Sequence, residues 1–192
     1  ITYFAGRGKL LPLLVARVGG LDFTFKGIDF AEWPGDLKAK CPFGQLPIVQ
    51  DGELVLAQSL AIANYLGRKA KLLGETDEDF GLSQSLLQEM EDIMNEGRDA
   101  LSTIRAPEKK PGYDAFVTEK LPYHLGNLEK LVKGDKFTSV LTVGELSVFL
   151  LFNYYQEILP GMLDNFPKLK AFYQRVLALP KVQEFLEKDM KP

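Results

Sequence analysis

The chain has little of what builds many enzyme sites. Among its 192 residues it holds one cysteine, Cys41, and one histidine, His124. A single cysteine excludes an internal disulfide and any all-cysteine metal site. A single histidine excludes a multi-histidine metal centre and argues against a histidine-based nucleophilic triad. A basic surplus is missing too: 23 Lys and Arg stand against 26 Asp and Glu, a formal net charge of −3, so no basic surface advertises nucleic acid. Of the local basic clusters (Lys38 with Lys40, residues 68–71, Lys109 with Lys110), the last two read as solvated charge. No apolar run approaches the roughly 20 residues needed to span a bilayer. The most apolar stretch, residues 146–152, is far shorter. No signal peptide is visible, and the chain opens directly in a strand-like run, as it would if a few residues preceded it. The expectation is a cytoplasmic protein that contacts neither nucleic acid nor membrane and needs no metal.

What is present is an ordinary globular composition, 46% hydrophobic and 26% charged, enough for one or two domains with a real core. Residues 1–74 alternate between strand and helix patterns. A β-prone run at 1–5 precedes a helical run at 9–18, with Leu10, Leu11, Leu14, Val15 and Val18 on one face and Pro12 in its first turn. Gly19-Gly20 stops that helix. Residues 21–30 alternate like a strand, and a loop around Trp33 follows. Residues 42–66 then carry the densest signal. Asp51-Gly52 between two apolar runs predicts a hairpin, Leu46-Pro47 stands before its first strand, and Ser59 is placed to cap the helix after its second. The amides behind such a cap form a ready anion site.

Beyond Gly74 the pattern turns helical. Leu86, Met90, Ile93, Gly97, Leu101 and Ile104 form one stripe of a long amphipathic helix, interrupted by the two prolines of residues 106–112. A helical run over 113–132 is expected to kink at Pro122. Thr142 and Glu145 have the spacing of a capping box before an apolar helix that should be buried all round. The expected division is an α/β domain over 1–74 and an all-α domain over 75–192.

The run TYFAGRGKLLPLLV, with Tyr3 at a strand end before a glycine-containing turn, and the segment PFGQLPIVQDGELVLAQSLAIANYL resemble the soluble glutathione transferases, the sigma-like class in particular. The resemblance extends along nearly the whole chain. It implies a thioredoxin-like N-terminal domain that binds glutathione as co-substrate. It also implies a helical domain that contributes the site for a small apolar electrophile and a homodimer interface. Tyr3 then donates its hydroxyl proton to the glutathione sulfur. Trp33 and Lys38 match the pair holding the glycyl carboxylate, with one extra residue between them making Lys38 the match rather than Leu37. Leu46, beside Gln45 and ahead of a cis Pro47, matches the residue that pairs its backbone with the cysteinyl unit. Gln58 and Ser59 match the pair that takes the γ-glutamyl carboxylate. Asp92 matches the acid that meets the γ-glutamyl amine across the dimer. Lys9 stands where sigma-class chains commonly have arginine, keeping the charge but not the planar fork.

Cys41 is not at the first strand-to-helix turn, where thiol–disulfide enzymes on this fold keep their cysteine, so no catalytic role is expected for it. The leading expectation is a transferase that conjugates glutathione to small electrophiles. Two alternatives stay open: a glutathione-dependent isomerase of the prostaglandin D synthase kind, and a non-catalytic binding or structural relative of the S-crystallin kind.

Overall fold

The computed structural model describes residues 1–4, 11–33, 35–101 and 112–190, with the Asp99 side chain excepted. The turn expected after Tyr3, including Lys9, and the break expected at residues 106–111 lie outside the described residues. The chain divides into two units, residues 1–73 with 178–192, and residues 74–177. The last helix groups with the first unit.

The first unit is built on a mixed four-stranded sheet. Its strands are β1 (Thr2–Phe4), β2 (Lys26–Ile28), β3 (Ile48–Asp51) and β4 (Leu54–Ala57), in the order β2-β1-β3-β4. β1 pairs parallel with β2 and antiparallel with β3, and β3 pairs antiparallel with β4. Of the strand expected over 21–30, only Lys26–Ile28 is strand. It is an edge strand whose three residues pair with the three of β1 among the described residues. The hairpin forms, with its turn one residue later than Asp51-Gly52 suggested. Asp51 pairs with Leu54, and Gly52 and Glu53 make the turn. Gly52 has φ +60 and Glu53 does not share the positive sign, which suits a turn with glycine at its first central position. Asp51 is thereby freed to bind α3 (Ser59–Lys69): its carboxylate accepts from the Tyr65 hydroxyl at 2.7 Å and from Lys69. Those bonds hold it below the usual carboxylate range, Lys69 having the larger effect.

α1 (Leu11–Val18) buries Leu13, Leu14, Val15 and Ala16 and ends in a Schellman motif. The Leu21 amide bonds the Ala16 carbonyl at 3.0 Å and the Gly20 amide bonds that of Arg17 at 3.1 Å, with Gly20 at φ +64. A Cβ on Gly19 would come within 2.3 Å of the Ala70 Cβ, so only glycine lets α1 approach the end of α3 this closely. α9 (Pro180–Lys188) packs on α1. There the Arg17 guanidinium forks onto Asp189 at 2.9 and 3.0 Å, reaches Glu184 at 3.5 Å, and lies over the Phe23 ring. The expected loop around Trp33 contains a 3₁₀ turn, Phe30–Glu32, and a one-turn helix, α2 (Asp36–Lys40).

The second unit is helical. α4 (Asp77–Ala100) buries the expected stripe from Leu86 through Gly97, and Leu101 beyond its end. α5 (Tyr113–Ala115) continues through a π-helical stretch, Phe116–Lys120, into α6 (Leu121–Leu131). The widened turn falls directly before Pro122, whose ring clashes with an α-helical carbonyl four residues back. α7 (Val143–Ile158) is buried without interruption from Val143 to Phe152, and α8 (Pro167–Leu177) packs on α6 and α7. Thr142 caps α7 by accepting from the Glu145 amide at 3.4 Å. The reciprocal half of the expected box is absent: Glu145 instead accepts from the Phe137 amide at 2.8 Å and from Arg175 at 3.2 Å. Burial pushes the Glu145 carboxyl up, against the opposing pull of these donors.

Candidate functional site

The strand register brings four chain segments to one end of the sheet. Thr2 stands beside Ile48, and Ile48 beside Ala57. β1 runs toward Tyr3 and Phe4, while antiparallel β3 has Leu46-Pro47 on that same side of Ile48. β4 leaves toward it through Gln58 and Ser59. β2, parallel to β1 with Ile28 beside Phe4, leads out there through Asp29 toward Trp33. Residues 30, 43 and 56 positions beyond Tyr3 in the sequence are thus gathered at one end of the sheet. Tyr3, Trp33, Leu46, Gln58 and Ser59 all belong to this end.

Each segment arrives prepared. Trp33 lies edge-on to Phe4 with ring centroids 5.8 Å apart. The Lys38 ammonium sits 5.9 Å from the Trp33 ring centroid, so the proposed carboxylate pair is brought together in the folded chain. The Lys38 stem also runs within 3.8 Å of where a Gly44 Cβ would stand, next to exposed Gln45. Leu46 is half-buried, Pro47 is buried, and the peptide between them is cis, as the resemblance implied.

The start of α3 corrects the expected cap. Ser59 is the first helical residue and Gln58 takes the cap position, without a side-chain cap hydrogen bond. The first intrahelical bond runs from the Ile62 amide to the Gln58 carbonyl at 2.9 Å, so the amides of Ser59, Leu60 and Ala61 have no intrahelical acceptor. Gln58 has φ 72 and ψ 116, a region L-residues rarely occupy, which costs on the order of 1–3 kcal/mol. A half-buried serine hydroxyl, three unclaimed amides and the positive end of a helix make an anion site.

Asp92 stands exposed on α4 in the second unit. Cys41 is buried and donates its Sγ hydrogen to the Leu37 carbonyl at 3.2 Å. Burial raises its thiol pKa, the opposite of what a reactive thiolate requires. No group of three or more His, Cys, Asp or Glu that could hold a metal occurs among the described residues. Two ring residues at the tyrosine end escaped sequence reasoning. In the sequence Phe4 reads as part of the turn after Tyr3, and Phe30 as one position of an alternating strand.

A family model for the N-terminal domain of glutathione S-transferase matches residues 1–68, and one for its C-terminal domain matches residues 91–189. Relatives include glutathione S-transferase 2 of Manduca sexta, 29% identical over 98% of this chain and 95% of that protein. Glutathione S-transferase P of Bos taurus is 32% identical over 97% and 90%. Among solved structures, the glutathione S-transferase of Ascaris lumbricoides superposes with a TM-score of 0.89 at 28% identity, over 100% of this chain and 97% of that one. A sigma-class enzyme of Fasciola hepatica gives 0.82 at 26% over 100% and 96%. A monomeric glutathione S-transferase of Necator americanus gives 0.87 at 26% over 100% and 97%. The chain belongs to the glutathione S-transferase family.

Proposed function

We propose that this protein conjugates the glutathione thiolate to small apolar electrophiles, and that Tyr3 holds the sulfur. The observation that carries the reading is the convergence of Tyr3, the Trp33–Lys38 pair, Leu46 and the open start of α3 at one end of one sheet. Glutathione has two carboxylates, and this end offers two kinds of anion receptor: the Lys38 ammonium beside Trp33, and the Ser59 hydroxyl with the first amides of α3. Leu46 and Gln45 serve the cysteinyl unit between them. Lys9 adds a cation after Tyr3. Asp92 meets the γ-glutamyl amine of a second copy in a homodimer, and the helical domain over 75–192 supplies the electrophile site and dimer contact. The sigma-like class rests on the TYFAGRG run, and the cytoplasmic setting on the free, buried Cys41 thiol.

In the reaction the thiol loses its proton to solvent and the Tyr3 hydroxyl donates to the resulting thiolate. Sulfur then forms a C–S bond, and the leaving group departs with the electron pair of the bond it breaks. A hydrogen bond to a charged acceptor contributes about 1.5–3 kcal/mol, roughly one to two pKa units on a thiol near 8.5. Lower basicity costs nucleophilicity at a Brønsted slope of about 0.4–0.5. Activation by Tyr3 is therefore a modest part of the rate, and positioning the electrophile against the sulfur has more room to contribute.

The test is the initial rate with glutathione and chlorodinitrobenzene for wild type beside Tyr3→Phe. A glutathione-dependent rate that falls at least roughly 3-fold near neutral pH in the variant, with glutathione affinity within a few-fold, is expected. Equal rates would remove Tyr3 from the mechanism. No rate from a wild type that still binds immobilised glutathione would turn the reading toward the isomerase or the non-catalytic relative. Sedimentation tests the homodimer: a monomer at micromolar concentration that binds glutathione normally would end the role of Asp92.

A further inference from the structure

At the end of the sheet away from Tyr3, the hairpin turn carries a reactive pair that the glutathione site does not use. Asp51-Gly52 is the one Asp-Gly step in the chain, which has no Asn-Gly step. When glycine follows aspartate, its backbone nitrogen attacks the side-chain carboxyl most readily, because no Cβ stands in the way. The two groups are neighbours in one chain, so the attack needs no encounter. The turn keeps the approach open. Gly52 is exposed at φ +60, and a Cβ built on it would meet nothing within 4 Å.

Two ties from α3 oppose this reaction. The Asp51 Oδ2 accepts from the Tyr65 hydroxyl at 2.7 Å and from the Lys69 ammonium, which itself lies over the Tyr65 ring. Lys69 first, and Tyr65 second, hold the carboxyl below its usual range. Ring closure needs the neutral carboxyl, since its hydroxyl must leave as water. It also needs the carboxyl carbon free to turn toward the Gly52 nitrogen. An ionised carboxylate fastened to α3 meets neither condition.

We propose that Asp51 is a modification site that isomerises to isoaspartate through Gly52, and that Tyr65 and Lys69 hold this reaction in check. In the first step the Gly52 nitrogen forms a bond to the Asp51 side-chain carboxyl carbon. The C–OH bond breaks, and the hydroxyl leaves with the nitrogen's proton as water. Water then adds to the main-chain carbonyl of the resulting succinimide and breaks its C–N bond. The chain now runs through the former side chain, one methylene longer. The added main-chain atom falls where Asp51 pairs with Leu54, and the side chain that reached α3 is gone.

The experiment ages the full chain in neutral buffer, native and unfolded in guanidinium, beside its folded Tyr65→Phe/Lys69→Gln double variant. Isoaspartate is measured by fragmentation mass spectrometry in the tryptic peptide 41–68, where Asp51 is the one aspartate. Native wild type should form it at least roughly 3-fold more slowly than the unfolded chain, and the double variant at least roughly 3-fold faster than native wild type. Equal rates in native wild type and the double variant overturn the role of Tyr65 and Lys69. Equal rates in native and unfolded wild type overturn it without any variant. No isoaspartate at residue 51 in any sample overturns the modification site itself. The transferase reading stands or falls separately from all three.

Discussion

Two kinds of helix start coexist in this chain, and they differ in what their amides are for. α4 and α7, in the second unit, begin at threonines whose hydroxyls accept from the amide three residues on: Thr76 from Asp79 at 3.1 Å, and Thr142 from Glu145 at 3.4 Å. Their first turns are closed further by partners far along the chain. Asp79 accepts from the Ser139 amide at 2.8 Å, and the Gly144 amide donates to the Ser83 hydroxyl at 2.9 Å. α3, in the first unit, begins with no side-chain cap and with a strained residue at the cap position. α9 also begins without a side-chain cap, so what sets the start of α3 apart is the positive φ of Gln58. Capped ends are where stability is stored, and the open end is where binding is expected.

Gly144→Ala should have the largest effect, because its Cβ would meet the Ser83 carbonyl oxygen at 2.3 Å, and backbone cannot yield as a side-chain tip can. A loss of about 3 kcal/mol in chemical denaturation is expected, and wild-type stability would break the idea of a tightly closed α7 start. Ser59→Ala should do the reverse, leaving the denaturation midpoint in place while lowering glutathione affinity roughly 10-fold or more, since a bond to a charged group is lost. A lowered midpoint with normal affinity would make Ser59 a plain structural residue. Thr76→Ala and Thr142→Ala should each cost about 1 kcal/mol with glutathione affinity unmoved. Gln58→Gly sharpens the comparison: relief of its backbone conformation should stabilise the ligand-free protein by about 1 kcal/mol, at the expense of glutathione binding. The smallest effect concerns pH. Glu184, hydrogen-bonded to Lys181 and Lys188, has its carboxyl lowered to about 2. A depressed pKa contributes stability above the unfolded value near 4.5, and that contribution is lost as pH falls from there toward 2. Glu184→Gln should flatten this part of the acid limb of a stability–pH curve, by a small margin because solvent screens its ion pairs with the exposed Lys181 and Lys188.

Local chemistry foretold some elements well and others only in part. The hairpin, the stop at Gly19-Gly20, the buried stripe of α4 and the buried α7 follow from turn residues and hydrophobic period, which act over a few positions. The turn at Gly52-Glu53 missed its expected place by one residue because Asp51 is drawn to Tyr65 and Lys69, a contact 14 and 18 residues away. Glu145 abandoned its half of the capping box for donors at Phe137 and Arg175, which local spacing cannot see. Residues 21–30 alternate as a full strand would, yet the described pairing with β1 covers only Lys26–Ile28. At the site, Trp33, Leu46 and Ser59 were identified as types suited to a tripeptide. Their meeting at one end of the sheet depended on register.

The sequence by itself determined the helix and turn patterns, because hydrophobic period and turn chemistry are properties of neighbouring residues, and its resemblance to the glutathione transferases supplied the family and the residues expected to meet glutathione. The tertiary structure decided that α9 packs on α1 through Arg17, that the start of α3 stays open, and that Phe30 lies flat on Phe4. Each of these joins groups that are adjacent only after the chain has folded. The strand ladder and the close approach of helix backbones set their distances, and no local preference encodes them.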